Sequence, residues 1–195
     1  MGYPVLFIHG YNAREGEGTV DRMRAWFQKA GKHFTYEYDY SFMNGPVSGL
    51  LGARLLNARR AREAFAHMSH VAKFDVVAHS NGCAIAKLLM EIEPYQVRRA
   101  VFINPALDRC ASLPPGPLVY CLHTPGEMPT RVASWLPFHP WGRAGSDGMT
   151  DPNVLNVDTS NPAHREFRSR SHSDKFQGDG MLNYWSSYVY QLLAT

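Results

Sequence analysis

Cysteine is scarce in this chain: Cys83, Cys110 and Cys121 are the only three, and none forms a CxxC pair. An odd count without CxxC or metal spacing gives no sign of a disulfide framework or a cysteine-based zinc site, and free or buried thiols in a reducing compartment are the simplest account. Charge of one sign is scarce too. Twenty basic residues against seventeen acidic ones leave a net charge of only +3, so a nucleic-acid partner is not expected. The small clusters Arg59, Arg60, Arg62 and Arg165, Arg168, Arg170 read as solvated helix and loop faces. No apolar run approaches the length of a membrane span, and the run Val5 to Ile8 lacks a basic flank and ends in His9-Gly10. A cytoplasmic protein without a membrane span is the expectation. Repeats, linkers and low-complexity tracts are missing as well. The 195 residues, 45% hydrophobic and 12% aromatic, suit one domain over 1–195.

What is present is alternation. Val5 to Ile8 reads as a buried strand, and about Thr19 to Ala30 carries apolar residues at helical spacing until Gly31 ends the pattern. Phe34 to Tyr40 alternates as a strand does. Leu50 to Met68 is rich in Ala, Leu and Arg and predicts a long helix. Phe74 to Ala78 predicts a strand, Cys83 to Ile92 a helix, Arg99 to Ile103 and Leu118 to Leu122 two more strands. An irregular stretch from about Thr124 to Pro152 holds many prolines with Trp135 and Trp141. Val154 to Val157 reads as a last strand and Met181 to Leu193 as a closing aromatic helix. Buried strands separated by helices imply an α/β fold: a mostly parallel central sheet with helices on both faces. Ligands of such sheets bind at the carboxyl ends of strands, so chemistry is expected just after them.

Ala78-His79-Ser80-Asn81-Gly82 stands at such a point, after a strand and before a helix. A serine on so tight a turn projects its hydroxyl above the sheet, and small neighbours let the backbones approach. The segment resembles the G-x-S-x-G nucleophile elbow of the α/β-hydrolase superfamily, with Ala78 in place of the first glycine. A serine capping the next helix is the plainer reading of the same residues. Phe7-Ile8-His9-Gly10-Tyr11-Asn12 is similar to the family's His-Gly oxyanion loop. The resemblance implies Ser80 as nucleophile, an oxyanion hole formed by the backbone amides of Tyr11 and Asn81, and a structural role for His9.

The family's order of serine, acid and histidine implies a late base. Of nine histidines, His33, His67, His70 and His79 come too early, His123 lies in or after a strand, and His139 sits in the Pro/Trp stretch. His164 and His172 remain, and His172-Ser173-Asp174-Lys175-Phe176 resembles the His-Ser-Asp-x-Phe segment of many small hydrolases of this type, which favours His172. Glu127, just after the strand Leu118 to Leu122, matches the acid's place. Asp147, Asp151 and Asp158 stay open as alternatives.

Trp135, Leu136, Phe138 and Trp141 could wall an acyl pocket or pack over the sheet, and Tyr11 and Met43 could line an entrance. The connection from Ile103 to Leu118 is short where many relatives insert a helical lid, so a lidless site is expected. The resemblance as a whole implies hydrolysis of a small-molecule carboxylic ester or thioester through an acyl-enzyme, with neither metal nor organic cofactor. A catalytically inactive hydrolase fold used as a binding or scaffold domain is the alternative.

Overall fold

The structure is a computed structural model, and it describes residues 3–10, 18–31, 35–38, 46–129 and 141–194, with the side chains of 35–38 and 46–55 excepted. Six strands form one sheet: β1 (Val5–Ile8), β2 (Thr35–Tyr38), β3 (Phe74–His79), β4 (Val97–Ile103), β5 (Leu118–His123) and β6 (Val154–Asp158). Their order is β2-β1-β3-β4-β5-β6, and every neighbouring pair is parallel. The helices are α1 (Val20–Lys29), α2 (Pro46–Met68), α3 (Gly82–Ile92), the short α4 (Ala144–Asp147) and α5 (Asp179–Ala194). Two 3-10 turns, Pro162–Phe167 and Asp174–Phe176, stand between β6 and α5.

Successive side chains of a strand point to opposite faces, and here both faces are covered. Leu6, Ile8, Val76, Ala78, Ala100 and Phe102 join Ala61, Ala64 and Met68 of α2 and Ile85 and Leu89 of α3 in one buried cluster. Val5, Phe7, Val77, Val101 and Ile103 join Met23 and Phe27 of α1 and Trp185, Val189 and Leu193 of α5 in the other. Each Val, Leu, Ile, Phe or Met among them contributes roughly 1.5–3 kcal/mol on burial, which is why the strands read as continuous apolar runs. The amino ends of the strands are fastened by charge. Arg98 donates to both oxygens of the buried Asp75, at 2.9 and 2.7 Å, and also to the carbonyl of Leu193 in α5.

Two expectations need correction. The long helix starts at Pro46, not Leu50. Proline lacks only an N–H that the first turn would leave unpaired anyway, so it opens a helix readily. The stretch from Thr124 to Pro152 is not wholly irregular, because it contains α4, a four-residue turn too short for helical periodicity to announce. Residues 104–117, where a lid helix could stand, carry neither helix nor strand. Among the described residues, no helix is long and apolar enough to cross a membrane.

Candidate functional site

β1 lies between β2 and β3, so the chain leaves the carboxyl ends of β1 and β3 in opposite directions. This is the switch point at which open parallel sheets form a crevice. Ser80 comes directly after β3 with φ of 55°, a left-handed conformation unusual for a serine. Its N–H donates to the Ile103 carbonyl at 3.0 Å, and its own carbonyl accepts from Cys83 and Ala106, each at 3.1 Å. Two glycines make room for this turn. A Cβ on Gly10 would stand 2.9 Å from the Ser80 Cβ, and one on Gly82 would stand 2.5 Å from the carbonyl oxygens of both Ile8 and His9. The ends of β1 and β3 therefore approach as closely as backbones can. Ala78, which stands where the motif has glycine, is a β3 residue whose methyl is wholly buried in the α2/α3 core.

Asn81 opens α3, so its backbone N–H lies at the helix's positive end. Its side chain is locked. Asn57 of α2 and Asn81 exchange two amide hydrogen bonds, at 3.1 and 3.2 Å, and the Trp141 indole donates to the Asn81 Oδ1 at 2.9 Å.

Across the carboxyl ends of the strands, His172 Nδ1 lies 2.9 Å from Oε2 of Glu127, whose side chain is fully buried. Glu127 is held by a turn after β5 in which its N–H donates to the Thr124 carbonyl at 3.1 Å. The His172 segment is held by Asp174, whose carboxylate accepts from the Ser169 hydroxyl at 2.6 Å and from the backbone N–H groups of Arg170 and Ser171 at 2.6 and 3.0 Å. The carbonyl of His172 accepts from His79 Nε2 at 3.2 Å and from Asn104 Nδ2 at 3.1 Å. Donation to a carbonyl fixes His79 as the Nε2–H tautomer. Burial, then the nearby His172, Lys175 and His9, push its pKa well down, against the hydrogen bond to the His172 backbone, so the ring stays neutral. It packs 4.7 Å from the His172 ring, centroid to centroid.

A serine raised on a strained strand-to-helix turn, with a histidine tied to a buried carboxylate, invites comparison with known proteins. The profile of the family described as "Lipase (class 2)" matches residues 2–92. Over the full fold, the chain is similar to alpha/beta hydrolase domain-containing protein 10 from mouse. That likeness has a TM-score of 0.63 at 14% identity and covers 98% of this chain and 89% of the other. A candidate hydrolase from Agrobacterium vitis gives a TM-score of 0.61 at 16% identity, covering 98% and 88%. A candidate YdeN-like hydrolase from Pectobacterium atrosepticum gives 0.53 at 12% identity, covering 99% and 91%. A search of curated proteins finds no match. The chain has the α/β-hydrolase fold.

In this α/β-hydrolase fold, the structure brings Glu127 and His172 together and leaves the other candidates engaged elsewhere. Asp147 pairs with Arg143 at 3.1 Å, and Asp151 accepts the backbone N–H groups of Leu113 and Asn153, each at 2.8 Å, which hold its pKa down. Asp158 accepts from the backbone and hydroxyl of Ser160 at 2.8 and 2.7 Å. His164 bonds the Tyr184 hydroxyl at 2.8 Å and packs on Trp185, a structural histidine of the α5 face. His9 Nδ1 lies 2.7 Å from the Gly10 carbonyl. Tyr11, Met43, Trp135, Leu136 and Phe138 lie outside the described residues. Among the described residues, no group of three or more His, Cys, Asp or Glu side chains is gathered as metal ligands.

Sequence reading missed Asn57, Asn104, Trp141 as a hydrogen-bond donor, and Lys175. A lysine inside an otherwise recognisable His-Ser-Asp-x-Phe segment was the one available signal, because lysine is seldom buried.

Proposed function

We propose that the protein hydrolyses a carboxylic ester or thioester through an acyl-enzyme, with Ser80, His172 and Glu127 as its triad. The observation that carries this reading is the 2.9 Å contact between His172 Nδ1 and the buried Glu127 carboxylate, which follows the carboxyl end of β5 as the strained Ser80 turn follows that of β3. A carboxylate there keeps the proton on Nδ1, which leaves Nε2 with the lone pair that a general base needs.

In the first half-reaction the Ser80 hydroxyl oxygen bonds to the carbonyl carbon while His172 Nε2 takes its proton. The resulting oxyanion is bound by the backbone N–H groups of Asn81 and Tyr11, the former at the positive end of α3. Collapse breaks the bond to the leaving alkoxide or thiolate, which takes the proton from His172. Water then attacks the acyl-enzyme with His172 again as base, releasing the acid and restoring Ser80. A connection 104–117 without a lid helix favours small or accessible esters.

The test is incubation with a fluorophosphonate probe and peptide mass spectrometry. Labelling at Ser80, abolished in Ser80→Ala and strongly slowed in His172→Ala, is the expected result. A folded protein that takes no label would instead favour the binding-domain reading.

A further inference from the structure

Lys175 is a fully buried lysine three residues after His172, and its ammonium donates to Asn104 Oδ1 at 3.0 Å, Thr124 Oγ1 at 2.7 Å and Ser169 Oγ at 2.7 Å. Three N–H donors thus meet three acceptors, all of them uncharged. A buried cation satisfied by neutral groups is a costly arrangement, and the ester chemistry proposed above assigns it nothing. Burial pushes the ammonium down to about 7, with the Asp174 and Glu127 carboxylates and the Cys121 thiol opposing that shift.

The geometry around Asn104 suggests what the arrangement achieves. Asn104 follows β4 with φ of 43°, a conformation asparagine tolerates better than most residues. Its Oδ1 accepts from Lys175 and from the Thr124 hydroxyl at 3.1 Å, while its Nδ2 donates to the carbonyls of Ser171 at 3.3 Å and His172 at 3.1 Å. An asparagine amide has two ends of similar shape, and only its partners decide which way it faces. An ammonium donates and never accepts. In its protonated form Lys175 therefore favours the oxygen of Asn104 inward, with the NH2 group facing the carbonyls of Ser171 and His172, which can only accept.

We propose that Lys175 is a positioning residue for the histidine: by fixing the direction of the Asn104 amide, it holds the His172 backbone and keeps the imidazole against Glu127. The inference rests on His172 being the base. The path runs from ammonium to amide to backbone, and Lys175 itself touches no reacting atom.

The test uses Lys175→Met, which keeps a long apolar chain beside Trp185 and removes the charge, together with Asn104→Gly, which suits φ of 43° and removes the amide. Two readouts are followed. The first is kcat and KM for p-nitrophenyl acetate. The second is the nitrogen-edited proton resonance of the His172 Nδ1–H, which a charge-assisted bond to Glu127 moves downfield whether or not the substrate is right. In Lys175→Met that resonance should broaden or vanish, with kcat falling about 10-fold to 100-fold and KM nearly unchanged. Because the effect passes through Asn104, adding Lys175→Met to Asn104→Gly should change kcat by no more than about 2-fold.

An unchanged resonance and kcat in Lys175→Met would overturn the inference. So would additive losses in the double variant, or a kcat that falls only in step with the unfolding temperature. Should Lys175→Met fail to fold, Thr124→Val removes the hydroxyl shared by Lys175 and Asn104, and a retained resonance there counts against the inference equally. A wild-type protein that shows the resonance but neither turns over ester nor takes the fluorophosphonate label would sink the hydrolase reading, leaving the resonance to judge Lys175 separately.

Discussion

His172 Nδ1 and Glu127 Oε2 lie 2.9 Å apart although 45 residues of chain separate them, and the carboxylate is wholly buried while the imidazole keeps 15% of its surface exposed. That difference in burial suits a division of labour in which the acid is sealed from water and the ring reaches the crevice. Glu127→Gln keeps the shape but offers an amide that can donate to Nδ1 and so hold the wrong tautomer. We expect kcat to fall by about 10³-fold to 10⁴-fold with little change in unfolding temperature. Steady-state ester hydrolysis checks this, and a loss under about 10-fold would mean that another carboxylate serves the ring.

Ser80 carries backbone strain that its chemistry would justify. At φ of 55° a residue with a Cβ is held in the left-handed region at a cost of about 1–2 kcal/mol, which glycine escapes. Ser80→Gly and Ser80→Ala should both be inactive, yet the glycine variant should be the more stable by about 1 kcal/mol. Urea unfolding of the two variants compares them directly. Equal stability, or a more stable alanine variant, would show the turn to be unstrained.

Gly82 is the closest backbone contact of the site. Gly82→Ala would drive a methyl group to 2.5 Å from the carbonyl oxygens of Ile8 and His9, so β1 and α3 must part. We expect a loss of about 1–3 kcal/mol in stability, together with slower labelling at Ser80, because the loop after β1 moves with its strand. Labelling at the wild-type rate in a stable Gly82→Ala protein would contradict the close approach.

How much of this was legible depended on the distance over which each residue acts. Ser80 was readable because strand, turn and helix are contiguous, and the small residues beside it record a local steric need. Glu127 was readable as a position after β5 through chain order, and His172 as one after β6 through chain order together with the His-Ser-Asp-x-Phe resemblance that favoured it over His164; no spacing rule brings the two together. The supporting polar groups left no such trace. Asn57 meets Asn81 from 24 residues away, Trp141 meets it from 60, and Lys175 meets Asn104 from 71. Each is an ordinary polar or aromatic residue until the fold brings it to its partner. The helix start at Pro46 and the short α4 were missed for a different reason, since periodicity needs several turns to show.

Lys175 also predicts a pH dependence of stability whose sign can be worked out. Folded, its ammonium loses its proton at about 7, against 10.5 for an ordinary lysine. Between those values the unfolded chain holds a proton that the folded protein has released, so stability rises with pH there. The penalty for burying the charge is complete below the folded value and is relieved as pH climbs toward the unfolded one. Other groups titrate as well, and comparison with Lys175→Met cancels them. At pH below 7 the methionine variant should be the more stable, since an apolar chain replaces a desolvated cation. Its advantage should shrink by up to about 1.4 kcal/mol per pH unit through the window. Urea unfolding of both proteins at intervals across that range measures the difference. Two parallel curves would mean that the folded protein leaves the proton affinity of Lys175 unchanged, and the buried ammonium would then need a counter-charge.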